Sequence, residues 1–169
     1  AAALSEYLEK NRLPGTVRFY GCPAEESGAG KEILARSSVF DGLDVSFTWH
    51  PETRNCVVTQ STLANIIAEA EFHGKTSHAA ASPELGRSAL DACELMNVGA
   101  NYLREHVSPD VRFHYAYTDA GGSSPNIVQS KASLLYYIRA ERQRTAEDVF
   151  SRLADVAKGA ALMTGTEVS

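Results

Sequence analysis

The sequence has few cysteines and no long apolar run. Its three cysteines, Cys22, Cys56 and Cys93, are odd in number and widely spaced, which argues against a disulfide framework and against a zinc site built from thiolates. No apolar stretch approaches the roughly 20 residues that span a bilayer, and residues 1–3 lack the charged and apolar regions of a signal peptide. We therefore expect a cytoplasmic protein with three buried free thiols.

Charge of one sign is not concentrated anywhere along the chain. The formal net charge is -5 over 169 residues, without long acidic or basic blocks. Because nucleic acids and anionic membranes attract clustered basic residues, we expect neither of them as a partner. The length suits one ordinary domain, or a smaller complete domain together with a piece of another.

Two adjacent carboxylates, Glu25 and Glu26, are the strongest candidates for chemistry. Residues 16–22 are rich in β-branched and aromatic side chains and predict a strand, and glycines at positions 28 and 30 follow the acidic pair. At a turn from strand to helix, neighbouring glutamates point in different directions, so one could bind a metal while the other faces its bound water. The alternative is a solvated acidic pair in a first helical turn.

A histidine follows the next predicted strand. Residues 44–49 predict that strand, His50 lies at its end, and residues 31–40 predict a short helix between the two strands. Because parallel strands place their carboxyl ends on one sheet edge, Glu26 and His50 could bind a common zinc or manganese ion. A loop histidine without a ligand is the alternative, and two ligands do not complete a site that normally takes three.

The second part of the chain has a different pattern. Residues 64–72 alternate between apolar and polar, as a half-buried strand does, and residues 86–106 carry the apolar stripe of a helix, with Cys93 and Met96 in the core. Residues 111–117 and 132–138 alternate again, and a second helix follows over residues 149–160. The order β-α-β-β-α predicts a ferredoxin-like α+β unit that lacks its last strand, with residues 166–169 where that strand would start.

Three polar residues of this second part could form a binding site. His78 lies in a loop of small residues after the first strand, Asn126 lies in a turn, and Arg139 is predicted on the polar face of a strand. Each of them alone is consistent with simple solvation. Together, a histidine, an amide and a guanidinium favour the binding of an oxyanion or a carboxylate.

Five motifs, in this order and spacing, carry a resemblance to a known family. They are GCPAEE (residues 21–26), WHP (49–51), GKTSHAA (74–80), PNIV (125–128) and YIRA (137–140). The chain resembles the M20 metallopeptidase and amidohydrolase family over most of its length. The resemblance implies an α/β protein, in which residues 1–62 are part of a zinc-peptidase-like catalytic domain and residues 63–169 are a ferredoxin-like lid and dimerisation domain.

The resemblance also implies roles for the residues singled out above. Glu25 matches the family's general base, and Glu26 and His50 match ligands of a divalent metal, zinc or manganese. His78 matches a lid histidine that, in related dimers, reaches the partner subunit's site and stabilises the oxyanion. Asn126 and Arg139 match lid positions that hold the substrate, plausibly through its carboxylate.

The implied reaction is the hydrolysis of the amide bond of an N-acyl amino acid, because residues 19–31 and 117–140 are most similar to family members that act on p-aminobenzoyl-glutamate. The alternatives are an enzyme for another N-acyl amino acid or a dipeptide, or a dimerisation module without catalysis. The implied partner is a second copy or a related subunit, in a homodimer or a heterodimer.

The chain also departs from the family pattern. The family's first metal-binding motif, of the type His-x-Asp or Cys-x-His, and its final ligand histidine are both missing. We therefore expect a fragment that cannot assemble a complete metal site alone.

Overall fold

The computed structural model describes residues 1–25 and 30–169. They form two compact units, an N-terminal unit, Ala1–Val57, and a C-terminal unit, Val58–Ser169. In the part of the chain that is described, no helix is long and apolar enough to cross a membrane.

The N-terminal unit contains two helices. Helix α1 spans Ala2–Lys10, where Leu4, Tyr7 and Leu8 recur at helical spacing. It ends where the side-chain amide of Asn11 donates to the Tyr7 carbonyl at 2.8 Å. Helix α2 spans Gly30–Arg36, so it stops short of the predicted end at residue 40. Within this unit the Tyr20 hydroxyl donates to the Val39 carbonyl at 3.1 Å, which ties the segment before the glutamates to the turns after α2.

The two strands predicted in the N-terminal unit are not formed. Residues 16–22 and 44–49 have no strand assignment, and the side chains of Phe19, Phe47 and Trp49 are 82%, 84% and 84% exposed. A strand needs hydrogen bonds from a neighbouring strand, and the described residues of this unit provide none. The prediction of two parallel strands was therefore wrong here, and with it the sheet edge on which Glu26 and His50 were expected to meet.

The C-terminal unit is a sandwich of one sheet and two helices. Its main elements are β1 (Ala64–His73), α3 (Ala89–Leu103), β2 (Arg112–Asp119), β3 (Lys131–Ala140), α4 (Gln143–Thr164) and β4 (Glu167–Val168), with short 3-10 helices at Pro83–Leu85 and Arg104–His106. The strands are antiparallel in the order β2-β3-β1-β4. This is the ferredoxin-like arrangement predicted from the sequence, with a last strand of two residues that pairs with the end of β1.

One face of this sheet carries the core. Strand β1 alternates as predicted, with Phe72 fully buried, and the central strand β3 is buried along nearly its whole length. Cys93 and Met96 of α3 are core residues, as expected. The largest fully buried side chains are Tyr136, Phe72, Leu134, Ile138, Leu153, Val149 and Cys93.

The three cysteines are all free. Cys93 is buried and Cys22 is half-buried, whereas Cys56 is exposed. The expectation of three buried thiols is confirmed for Cys93 alone. It was wrong for Cys56, because the part of the chain around it packs against no core in the structure.

Candidate functional site

Glu25 has helical backbone and follows a sharp turn of the N-terminal unit. The residue before it, Ala24, has φ of 56°, a left-handed conformation that is uncommon for a residue with a side chain. A Cβ atom on Gly30 would lie 1.9 Å from the Pro23 carbonyl oxygen, so only glycine permits this approach. The carboxylate of Glu25 is exposed, while Glu26 lies outside the described residues.

His50 is also exposed, and its Nδ1 lies 2.9 Å from the Pro51 carbonyl oxygen. If Nδ1 carries the proton and donates to that carbonyl, Nε2 is left with its lone pair, the form in which imidazole binds a metal. Imidazole and carboxylate are therefore present with the right chemistry for zinc or manganese. Among residues 1–25 and 30–169, however, no group of three or more histidine, cysteine or acidic side chains is placed to hold a metal ion.

The second predicted site begins with the His78 loop, residues 74–81. His78 Nδ1 accepts hydrogen bonds from the backbone N–H groups of Ala80 at 3.2 Å and Ala81 at 3.1 Å. In the neutral ring the proton must then be on Nε2. Because His78 is exposed, this Nε2–H group is available as a donor to a ligand.

The His78 loop is held in place by close backbone contacts. Lys75 and Arg87 exchange two backbone hydrogen bonds of 2.8 Å, and a Cβ atom on Gly74 would lie 2.0 Å from the Arg87 carbonyl oxygen. A Cβ atom on Gly86 would likewise lie 2.4 Å from the Ser77 hydroxyl oxygen. The two glycines therefore permit the packing that supports His78.

The structure brings Asn126 next to this loop. The Ala79 N–H donates to the Asn126 carbonyl at 2.9 Å, and His78 and Ile127 form an isolated antiparallel bridge. Asn126 lies in a turn closed by the Ile127 N–H and the Ser124 carbonyl at 3.2 Å, and proline at the second position of such a turn is favoured. The exposed amide of Asn126 and the His78 imidazole therefore belong to one pair of joined loops.

Arg139 is at the other end of the sheet. It lies on the exposed face of β3, as predicted, opposite Asn65 of β1 and Arg112 of β2. The His78 loop follows the end of β1, where His73 pairs with Lys131. At about 3.4 Å per residue, the eight steps from Lys131 to Arg139 span roughly 27 Å. Within one chain, Arg139 is therefore not brought together with His78 and Asn126.

Arg112 and Asn65 were not among the residues predicted from the sequence to form a site. Both share the exposed sheet face with Arg139 because directly opposed residues of antiparallel strands point the same way. The period-two alternation of residues 111–117 already places Arg112 on the polar face, so the signal was present. The strand register that sets it beside Arg139 comes only from the structure.

A polar network that runs from the core to the partly exposed Tyr117 has a structural role. The Tyr136 hydroxyl donates to Asn97 Oδ1 at 2.6 Å, and the Asn97 amide donates to the Tyr117 hydroxyl at 3.3 Å. Burial raises the pKa of both tyrosines, and burial together with the nearby Asp119 and Glu94 charges raises the pKa of Cys93 to about 11. These groups therefore stay protonated at neutral pH and do not act as acids or nucleophiles.

Comparison with known proteins connects this geometry to hydrolases. Over 168 residues the chain is 51% identical to one of the subunits of p-aminobenzoyl-glutamate hydrolase from Escherichia coli, covering 99% of this chain and 35% of that protein. It is 35% identical to a mouse Xaa-Arg dipeptidase over 170 residues, which is 99% of this chain and 39% of that protein. The chain thus spans little more than a third of the length of these relatives.

A solved structure agrees with the sequence matches. The crystal structure of an aminobenzoyl-glutamate utilization protein from Klebsiella pneumoniae superimposes with a TM-score of 0.57 and 28% identity, over 64% of this chain and 27% of that one. Residues 64–163 match the M20 family described as the peptidase dimerisation domain. These residues hold three of the four strands and nearly all of both helices of the C-terminal unit. The chain therefore belongs to the M20 peptidase family through its dimerisation domain.

Proposed function

We propose that the chain is part of a metal-dependent amidohydrolase that cleaves the amide bond of an N-acyl amino acid, p-aminobenzoyl-glutamate in particular. The observation that carries this proposal is the 51% identity to the E. coli hydrolase, because it extends over 99% of the chain. Residues 1–62 would be part of the catalytic domain and residues 63–169 the lid. The proposal concerns the longer, cytoplasmic protein that contains both.

Glu25 is the proposed general base. Its exposed carboxylate can take a proton from the attacking water and later pass it to the leaving amine. Glu26 and His50 are the proposed metal ligands, completed by residues outside this chain. A zinc or manganese ion bound there would supply Lewis acidity and lower the pKa of its water.

His78 is the proposed oxyanion donor. Two backbone N–H groups occupy its Nδ1, which leaves the proton of the neutral ring on Nε2, facing solvent. A fixed donor of this kind stabilises the negative charge that develops on the carbonyl oxygen of the amide in the transition state. This tautomer supports the proposal.

Arg139 and Asn126 are the proposed substrate-binding residues. They lie at opposite ends of one sheet, so a site that uses both needs a second subunit. Two copies could pair antiparallel along the edge strand β2. Arg139 of one copy and the partner's Asn126 would then lie at the same end of the strands in the combined sheet. A homodimer, or a heterodimer with a related subunit, would then complete the site.

Hydrolysis assays with the full-length enzyme test the reaction and its base. We expect metal-dependent release of glutamate from p-aminobenzoyl-glutamate, and a loss of at least about 100-fold in kcat for Glu25→Gln. Glu9→Gln, an exposed glutamate of α1, is the matched control and keeps full activity. Unchanged hydrolysis in Glu25→Gln, with dimerisation dependent on the C-terminal unit alone, would instead favour the non-catalytic dimerisation module.

The isolated chain provides a second test. Because the described residues form no group of three metal donors, we expect weak metal binding and no amide hydrolysis by the 169-residue chain. Tight stoichiometric zinc or manganese binding in a calorimetric titration, together with hydrolysis, would contradict the fragment hypothesis.

A second candidate substrate is a dipeptide, favoured by the 35% identity to the mouse Xaa-Arg dipeptidase. A panel that contains p-aminobenzoyl-glutamate, other N-acyl amino acids and Xaa-Arg dipeptides separates the candidates. The substrate with the highest kcat/KM decides between them.

A further inference from the structure

Two arginines face each other across neighbouring strands of the C-terminal unit. Arg112 of β2 and Arg139 of β3 are directly opposed, and Asn65 of β1 lies on the other side of Arg139. All three side chains are exposed on the sheet face that α3 and α4 do not cover. We call Asn65, Arg139 and Arg112 the arginine row.

The arginine row has no counter-charge within the described part of the chain. Like charges directly opposite each other on a sheet are destabilising, so such a pair is usually offset by a carboxylate. Among the residues that the structure describes, none of the ion pairs within 4.0 Å includes Arg112 or Arg139. The row therefore presents two positive charges that an anion can neutralise.

The guanidinium of Arg112 uses only Nη1 in its hydrogen bonds to described residues. Its Nη1 donates to the Val111 carbonyl at 2.7 Å and also to the Pro109 carbonyl. These are the hydrogen bonds of its guanidinium to described residues, so the Nε–H and Nη2–H pair on the other edge remains available. That edge is a planar fork that matches the two oxygens of a carboxylate.

The spacing of the two arginines fits a molecule with two carboxylates. Opposed Cα atoms of antiparallel strands are about 4.5–5.5 Å apart, and a glutamyl group carries its two carboxylates on one short carbon chain. One guanidinium can bind the α-carboxylate while the other binds the side-chain carboxylate, and the Asn65 amide can donate beside Arg139.

We infer that the arginine row is a dicarboxylate site and that Arg112 selects N-acyl amino acids with an acidic side chain. This inference rests on the proposed hydrolase function and adds how the glutamyl part of the substrate is recognised. Arg139 binds the carboxylate common to all N-acyl amino acids, whereas Arg112 binds the one that only acidic side chains have.

Binding to the 169-residue chain tests the site without catalysis. N-acetyl-glutamate and N-acetyl-glutamine are titrated into the 15N-labelled chain, and amide shifts are followed by NMR. We expect N-acetyl-glutamate to bind at least about tenfold more tightly, since a charge-assisted pair is worth that much or more, with shifts centred on residues 65, 112 and 139.

Two variants distinguish a specific role of Arg112 from a general effect of positive charge on binding. Arg112→Gln should bring the ratio of the affinities for N-acetyl-glutamate and N-acetyl-glutamine close to one. Arg144 is an exposed arginine of α4, and Arg144→Gln should leave this ratio unchanged. Equal binding of both ligands by the unchanged chain, shifts centred elsewhere, or an unchanged preference in Arg112→Gln would overturn the inference.

The same variants in the full-length enzyme keep the two proposals distinguishable. Arg112→Gln should raise KM for N-acyl-glutamates about tenfold and KM for N-acyl-glutamines much less. Hydrolysis with an unaltered glutamate preference would refute the role of Arg112 and leave the hydrolase function intact. Selective binding of N-acetyl-glutamate without any hydrolysis would support the site and refute the hydrolase function.

Discussion

The N-terminal and C-terminal units contain similar strand-like sequences with opposite outcomes. Residues 44–49 and residues 132–138 both alternate apolar side chains, yet Phe47 is 84% exposed while Leu134 is fully buried in β3. Strand β3 has a partner on each side, β1 and β2, and two helices over one face. A segment with alternating apolar side chains therefore forms a strand only where other segments supply hydrogen bonds and a core.

The candidate residues of the two units also differ in how well the surrounding fold supports them. In the C-terminal unit, backbone hydrogen bonds join the loops of His78 and Asn126. In the N-terminal unit, Glu25 and His50 are exposed, and among the described residues the His50 ring is hydrogen-bonded only to the neighbouring Pro51 carbonyl. A pre-organised site residue needs such support from the surrounding fold.

The largest expected difference concerns the core. Phe72→Ala should lower the free energy of unfolding of the C-terminal unit by about 3–5 kcal/mol, because it empties a fully buried position. Phe47→Ala should change this free energy of unfolding by less than about 0.5 kcal/mol. Urea denaturation followed by circular dichroism measures both. Equal losses would show that Phe47 is packed in solution and would remove the contrast between the units.

A smaller difference is expected for glycines. Gly74→Ala should cost about 1–3 kcal/mol, because its Cβ would meet the Arg87 backbone at 2.0 Å. Gly21→Ala is the matched control in the N-terminal unit, since among the described residues other than its chain neighbours no atom lies within 4 Å of its Cβ position. The same denaturation measurement applies, and a neutral Gly74→Ala would mean that the His78 loop is loosely held.

The alkylation rates of Cys56 and Cys93 allow the two units to be compared without any mutation. At pH 8 a thiol with a pKa of about 11 is ionised in roughly one molecule per thousand, and Cys93 is also buried. The exposed Cys56 should therefore be alkylated completely by iodoacetamide before Cys93 reacts detectably. Mass spectrometry of peptides at successive times gives the order, and urea should abolish the difference.

The smallest effect is expected from an ion pair on the exposed sheet face. Lys131 Nζ lies 2.8 Å from Glu71 Oε2, and this hydrogen bond lowers the pKa of Glu71 from its ordinary 4.5 in the folded state. A carboxyl whose pKa is depressed by folding contributes stability above the unfolded-state pKa and loses it as pH falls through the folded-state pKa. Lys131→Gln should therefore lower Tm slightly at pH 7 and much less at pH 3.

Lys75→Gln is the control for this measurement, because Lys75 forms none of the ion pairs of the described residues. Its Tm difference from the unchanged chain should not depend on pH. A difference for Lys131→Gln that grows as pH falls would contradict the assigned cause.

Most of the C-terminal unit could be predicted because its sequence patterns are long and regular. The strand over Ala64–His73, the buried Cys93 and Met96, and the exposed face of Arg139 are all confirmed. The predicted strands of residues 16–22 and 44–49 failed because propensity describes side chains, whereas strand formation depends on a neighbour that the described residues do not supply. Glu26 lies outside those residues, so its metal role stays a prediction.

The sequence by itself determined the family, the ferredoxin-like order of elements and the identity of the polar residues, because alternation and motif spacing are local properties of the chain. Only the tertiary structure decided which of those residues meet. Strand register places Arg112 beside Arg139, and loop hydrogen bonds place Asn126 beside His78. Arg139 is separated from His78 by the length of β3, because antiparallel pairing places the His78 loop at one end of this strand and Arg139 near the other.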